Sequence, residues 1–321
     1  MTEPKEWDSP TAHSPDGLCR ILSLDGGGAK GFYTLGVLKE IEGLLKCPLY
    51  QRFDLIFGTS TGAIIASLIA LGYSVDEVHE LYKSHVPVVM QDLPKEARSA
   101  ALSKLAREVF GDKTFADVRT GLGIVSAKWI SERPMIFKGN IDQAHGRKGT
   151  FVPGFGVALA DAIEASCSAY PFFDRKVVTT AAGDAVELID GGYCANNPTL
   201  YAIADAVVAM QKAPGDLRVV NVGVGAYPEP KPSSLKMWFA KKYIVSVQLL
   251  QKTLEINTQS MDQLRQILFK DIHTVRISDT FEKPEMATDL LEHDLVKLNV
   301  LRQRGAESFA TREAILRDFL L

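Results

Sequence analysis

Long apolar runs are missing from this chain. No stretch approaches the roughly 20 consecutive apolar residues of a membrane-spanning helix, so contact with a bilayer is expected only at its surface. Cysteine is scarce. Cys19, Cys47, Cys167 and Cys194 are widely spaced, with no Cys-x-x-Cys pair and no histidine at a zinc spacing. That pattern reads as reduced, buried thiols in a cytosolic protein, not as a disulfide frame or a metal site. An excess of one charge is missing too. Lys and Arg number 36 against 39 Asp and Glu, a net charge of −3, which offers no electrostatic grip to a nucleic acid polymer. Residues 1–17 are polar and lack an apolar h-region, so they read as a loose lead-in rather than a signal peptide.

What is present is ordinary for a globular protein: 321 residues, 46% hydrophobic and 23% charged. That length allows one large α/β domain or two small ones. Residues 20–24 read as a first strand, followed by a glycine run and a helix over 32–45 with Phe32, Leu35, Leu38, Ile41 and Leu45 on one face. A second strand over 53–57, a turn and a helix over 63–72 repeat the theme. Strand, turn and helix twice over is the signal of a parallel α/β architecture. Helical patterns follow over 75–110, interrupted by Pro87 and Pro94, and over 159–169 and 200–211. Short strands are expected at 123–126, 134–137, 177–180, 186–189 and 218–224. Beyond a proline-rich break at 228–232 the chain reads as mostly helical. No linker divides 18–321, so we expect one domain with a helical extension over 233–321.

The informative stretch is Gly58-Thr59-Ser60-Thr61-Gly62, set between the second strand and its helix. Gly58 and Gly62 leave room for a sharp turn with Ser60 at its apex, beside the free N–H groups of a helix N-terminus. Ser60 is therefore a candidate nucleophile, although a serine in a glycine-rich turn is the simpler alternative. The run Asp25-Gly26-Gly27-Gly28-Ala29-Lys30-Gly31 formally fits the dinucleotide fingerprint. Asp25 beside the would-be pyrophosphate argues against that, as does the lack of a strand-ending acid about twenty residues on. An oxyanion hole fits better: the N–H groups of Gly26, Gly27 and Gly28 face a site without side chains in the way, and Lys30 adds positive charge.

A serine nucleophile needs a base. Asp190-Gly191-Gly192 ends a strand-like run on a glycine turn, where Asp-Gly alone usually marks only a turn. The six histidines are His13, His79, His85, His145, His273 and His293, and none follows a strand with a turn signal. A dyad in which Asp190 takes the Ser60 proton therefore fits better than a Ser-His-Asp triad. The triad esterase and a non-catalytic module binding a phosphorylated ligand remain the alternatives.

Taken in order, Asp-Gly-Gly-Gly-x-Lys-Gly, Gly-Thr-Ser-Thr-Gly and Asp-Gly-Gly resemble the patatin-like phospholipases. The likeness extends to residues 21–25, 165–169 and 195–198 and covers roughly 20–226. It implies a three-layer α/β fold with a mostly parallel central sheet flanked by helices, and a Ser60–Asp190 dyad. It implies oxyanion donors at Gly26, Gly27 and Gly28, and hydrolysis of membrane phospholipid acyl esters without metal or cofactor. The family's commonest glycine run carries Arg where this chain has Lys30, which keeps the charge and loses the planar fork. The start of the glycine run, residues 143–147 and residues 257–264 further resemble bacterial antiphage (CBASS) phospholipases. That resemblance implies activation by a cyclic dinucleotide and action from the cytoplasm on the inner face of the cell's own membrane.

Three regulatory expectations follow. Met237, Trp238, Phe239 and Tyr243 beside Lys236, Lys241 and Lys242 suit a lipid interface over 235–244, the alternative being a core helix with lysines reaching outward. A lid is expected over 76–112. Activator binding or homo-oligomer assembly is expected in the block after Pro232, because the catalytic motifs are complete before it.

Overall fold

The computed structural model describes residues 17–91, 93–146, 148–230 and 237–321, with side chains of the last segment from 247 onward. The lead-in over 1–16, His13, Arg147 and the side chains of the 235–244 lipid-interface candidate lie outside the described residues. The strands are β1 (Cys19–Leu24), β2 (Leu55–Thr59), β3 (Gly121–Lys128), β4 (Pro134–Lys138), β5 (Lys176–Thr179), β6 (Ala185–Asp190), β7 (Leu217–Val222) and β8 (His273–Ile277). The helices are α1 (Gly31–Leu45), α2 (Leu49–Arg52), α3 (Thr61–Leu71), α4 (Val75–Met90), α5 (Lys95–Phe110) and α6 (Leu159–Cys167). They continue with α7 (Gly192–Ala195), α8 (Thr199–Ala204), α9 (Met237–Leu268), α10 (Leu295–Ala310) and α11 (Glu313–Leu320).

One eight-stranded sheet runs in the order β5-β6-β3-β2-β1-β7-β8, with β4 also on β3. The pairs β1–β2, β1–β7, β2–β3 and β7–β8 are parallel, whereas β4, β5 and β6 run antiparallel to their neighbours. Alternation along each strand divides the core in two. Leu22, Leu24, Ile56, Ile124, Val220 and Val222 face the layer holding α1, α3, α4, α5, α6 and α10. Ile21, Leu55, Phe57, Val125 and Val219 face α7, α8 and the turn after it. Burial on both faces is why the central strands read as unbroken apolar runs. The mostly parallel three-layer α/β fold expected from the sequence is the fold observed.

Three local readings change. β8 joins the sheet inside the block read as mostly helical, pairing in parallel with β7. Pro87 does not interrupt the 75–110 helix: it sits inside α4, where its missing N–H removes one bond near the C-terminal end. The break falls between Met90 and Lys95, with Pro94 as the N-cap of α5. The helix expected over 200–211 runs as α8 and then opens into a π-helical turn, Asp205–Ala209. The C-terminal segment shares the core. A Cβ on Gly36 of α1 would strike the Arg302 carbonyl of α10, and one on Gly305 would strike the Tyr33 carbonyl, so these two backbones cross in direct contact.

Candidate active site

The sheet itself brings the serine and the aspartate together. β4 occupies one edge of β3 along residues 123–127, so β2 and β6 must share the other edge. They do so end to end. Thr59 of β2 pairs with Val125, and Asp190 of β6 pairs with the next residue, Ser126. The parallel strand therefore stops where the antiparallel one arrives, and Ser60 Oγ donates to Asp190 Oδ2 at 2.7 Å.

Each glycine beside the pair has a steric reason. Ser60 holds φ 52°, ψ −123°, a strained backbone for a residue with a side chain. The turn closes so tightly that a Cβ on Gly58 would meet the Gly62 carbonyl, and one on Gly62 the Leu24 carbonyl. Ser60 N–H donates to Ser166 Oγ at 2.9 Å, and Ser166 Oγ donates to the Val125 carbonyl at 2.6 Å. Thr59 Oγ1 donates to the Ala195 carbonyl at 2.7 Å. On the aspartate side, a Cβ on Gly191 would press into the Val125 carbonyl. The Gly192 N–H donates to Asp190 Oδ1 at 2.7 Å. Both carboxylate oxygens are thus engaged, and the carboxylate is fixed in orientation.

The glycine run lies across from this pair, since a Cβ on Gly26 would come within 3.3 Å of Ser60 Cβ. Its donors are not equivalent. Gly26 N–H already donates to the Asn196 carbonyl at 2.9 Å, whereas Gly27 and Gly28 N–H have no partner among the described residues. Gly28 holds φ 58°, and both line the cavity at Ser60 and Asp190. The available donors are therefore two of the three glycines named from the sequence. Lys30 is buried, and no described carboxylate lies within ion-pair distance of its ammonium. Burial lowers its pKa, opposed by the more distant charges of Glu255 and Asp289. Asp25 turns the other way, 2.9 Å from Arg276 of β8, and accepts from Asn221 Nδ2 at 2.7 Å.

Asp190 is 2% exposed. Burial pushes its pKa up from 3.8 to about 6, against the hydrogen bonds from Gly192 and Ser60, which favour the anion. A general base must be ionised, so with Asp190 in that role turnover is expected to rise about tenfold per pH unit below 6 and level off above. Stability takes the opposite sign. Asp190's contribution is fully present below 3.8, where both states are protonated, and is lost as pH rises through about 6. The difference, about two pH units, amounts to roughly 3 kcal/mol. A pH–rate profile beside pH-dependent unfolding of wild type and Asp190→Asn checks both signs; a flat rate between pH 4 and 6 removes Asp190 as the titrating base.

No described histidine bonds to Ser60 or Asp190: His79 packs edge-on to Phe32, His85 lies near Glu108, and His145 binds Asp205. Among the described residues no cluster of three metal-ligating side chains occurs. An apolar cavity opens at the pair, walled by Val86 and Val89 of α4, Leu102 and Leu105 of α5, and Leu250 and Leu254 of α9. It is small, about 60 Å³, against the roughly 300–1,000 Å³ typical of small-molecule sites, and too narrow for a long acyl chain. The stretch read as a lid thus forms one wall. Tyr82 of α4 ties it to the serine turn by donating to the Thr61 carbonyl at 2.8 Å.

Several positioning groups had no motif of their own. Ser166 and Asn196 sit in segments noted only for their likeness. Asn257 and Thr258 of α9 join them: Asn196 N–H donates to Asn257 Oδ1 at 2.8 Å, and Asn196 Nδ2 donates to Thr258 Oγ1 at 2.7 Å. The residue types carry a faint signal, because buried Asn and Thr demand partners.

The family model described as patatin-like phospholipase matches residues 22–203, the span that holds the glycine run, the serine turn and Asp190. The chain belongs to the patatin-like phospholipase family. It is 72% identical over 311 residues to the cUMP-AMP-activated phospholipase of Escherichia coli, covering 97% of each chain. It is 29% identical over 251 residues to the cGAMP-activated phospholipase of Vibrio cholerae, covering 67% of each. A third relative, human calcium-independent phospholipase A2-gamma, is 28% identical over 65% of this chain and 28% of its own length. This patatin-like protein is accordingly a phospholipase, a lipid acyl hydrolase. Among the described residues no helix is long and apolar enough to cross a membrane.

Proposed function

We propose that this patatin-like phospholipase cleaves membrane phospholipid acyl esters through a Ser60–Asp190 dyad and is held in check until a cyclic dinucleotide binds. The observation that carries the chemistry is the 2.7 Å hydrogen bond between Ser60 Oγ and Asp190 Oδ2 at a strained strand-to-helix turn. Asp190 takes the hydroxyl proton as Oγ bonds to the ester carbonyl carbon, and the carbonyl oxygen becomes an oxyanion facing Gly27 and Gly28 N–H. Collapse breaks the ester C–O bond, and Asp190 returns the proton to the leaving alkoxide. A water deprotonated by Asp190 then attacks the acyl-serine, and Ser60 recovers its proton as the fatty acid leaves.

The restraint is supported by the small cavity at the dyad, by its α4, α5 and α9 walls, and by the activators for which two relatives are named. A cytosolic enzyme acting on the inner face of its own cell's membrane, as in antiphage defence, needs such a restraint. Shifting a closed state from 99% to 1% requires a preference of about 5.5 kcal/mol for the open state. Purified protein is expected to hydrolyse phospholipid vesicles slowly alone and orders of magnitude faster with cUMP-AMP, with a change in oligomeric size by light scattering. Full activity without nucleotide would leave a constitutive lipase.

A further inference from the structure

A second cavity, about 470 Å³ against about 60 Å³ at the dyad, lies at the β4 edge of the sheet. Its size falls in the range of about 300–1,000 Å³ typical of small-molecule sites. Two aromatics, two lysines and a histidine meet there: Phe151, Phe155, Lys128, Lys138 and His145. None takes part in the proposed hydrolysis. We infer that this cavity is the binding site of the activating cyclic dinucleotide, an assignment that rests on the activation reading above.

The chemistry suits two bases and two phosphates. Phe155 is 44% exposed, and its other side rests edge-on against Phe137, with centroids 6.0 Å apart. A ring fixed from behind and open in front is a stacking platform for a base, and Phe151 lies four residues away on the same loop. Lys128 makes no ion pair or side-chain hydrogen bond among the described residues. His145 Nε2 lies 2.8 Å from Asp205 Oδ1, and its Nδ1 has no partner among the described residues. Asp205, 2% exposed at the start of the π-helical turn, also accepts from Lys138 at 2.5 Å and from Gln143 Nε2 at 3.1 Å. It therefore fixes the cationic wall while staying out of the cavity lining. π-Turns of this kind recur at functional sites. The lining also carries the Asp184 carboxylate and the hydroxyls of Thr150 and Thr180, groups that suit the donors and acceptors of a base and not an acyl chain.

The same loop is strained and coupled to the dyad. Gly154 and Phe155 hold φ 56° and 57°, and for phenylalanine that backbone is costly. The Phe155 carbonyl accepts from Ala181 N–H at 2.8 Å, in the turn joining β5 to β6. Val186 of β6 lines the cavity, and Asp190 lies four residues along that strand, about 13 Å away at 3.3 Å per residue. A ligand that moves the Phe155 loop therefore pushes on the strand that carries the base.

The test uses the full chain with cUMP-AMP, and with cGAMP, AMP plus UMP, and inorganic phosphate as comparisons. Phe155→Gly removes the ring without forcing a new side chain into a left-handed backbone, and Lys128→Ala removes the free cation. Each is expected to raise the calorimetric Kd and the half-activating concentration of cUMP-AMP at least tenfold. The nucleotide-free rate and the maximum at saturating nucleotide should stay unchanged. In wild type, cUMP-AMP is expected to slow amide exchange in residues 148–155 and 180–186. Unchanged affinity in both variants, or protection confined to other segments, overturns the site while leaving activation standing. If neither variant folds, the wild-type exchange map decides alone. If neither cyclic dinucleotide binds or activates wild type, the activation reading falls and takes this assignment with it.

Discussion

Replacing Ser60 by Ala, or Asp190 by Ala, is expected to lower phospholipid hydrolysis by at least about 10⁴-fold while the fold persists. Residues that act as a unit lose almost everything when either is removed, so the double variant should be hardly worse than the singles. The geometry explains why no substitute is at hand. Asp190 Oδ2 is the described carboxylate oxygen within hydrogen-bond reach of Ser60 Oγ, and Oδ1 is taken by Gly192 N–H. No described histidine stands in line to replace it. Both variants remove a polar group without adding bulk, and Asp190→Ala also removes a carboxyl whose anion is costly to bury, so melting temperatures should hold or rise. The decisive measurement is single-turnover hydrolysis of labelled vesicles at saturating nucleotide, beside alanine variants of all six histidines. A histidine variant as inactive as Ser60→Ala, with Asp190→Ala near wild type, would replace the dyad by a triad.

Gly27→Val keeps its backbone N–H but is expected to displace it, cutting turnover about 10²–10³-fold, the cost of losing one oxyanion donor in other hydrolases, roughly 2.7–4 kcal/mol. Read from the sequence alone, such a change should lower turnover far more than stability. The structure predicts otherwise. A Cβ at Gly27 would stand 2.6 and 2.9 Å from the two Val224 methyl carbons, so the loop or β7's exit must shift. Gly28 is worse, because its φ of 58° disfavours any side chain and its Cβ would meet the Leu290 carbonyl. The informative variant is therefore Gly27→Ala combined with Val224→Ala, which supplies the missing space. Alanine keeps the backbone N–H, and Val224→Ala gives the added Cβ room, so thermal unfolding and turnover should both return towards wild type in this pair. Full turnover in Gly27→Val itself, with the loop displaced and stability lost, would mean that the oxyanion is held elsewhere.

Much of this molecule is written locally. β1, β2 and β7 are buried on both faces and declare themselves as apolar runs. The serine turn declares itself because backbone at Gly58 and Gly62 approaches too closely for any side chain. Asp190 was legible as a candidate for the same reason, through the turn glycines that follow it. β8 was not legible. His273-Thr274-Val275-Arg276-Ile277 is half-buried at the sheet edge, and its strand character comes from β7, about fifty residues earlier in the chain. Hydrogen bonds between strands so far apart leave no periodic trace in either one.

The residue types that meet at the site, a serine, an aspartate and glycine N–H donors, follow from sequence because each imposes its own local backbone. That Ser60 and Asp190 touch does not. It depends on β2 and β6 sharing one edge of β3 end to end, which depends in turn on β4 holding the opposite edge. Likewise Gly26 looks equivalent to Gly27 and Gly28 until Asn196, 170 positions on, takes its N–H. The same holds for Asp205, which the sequence shows only as an acid in a helix. Its burial beside Lys138 and His145 arises where three separated segments pack together, and local sequence carries no information about which distant group arrives.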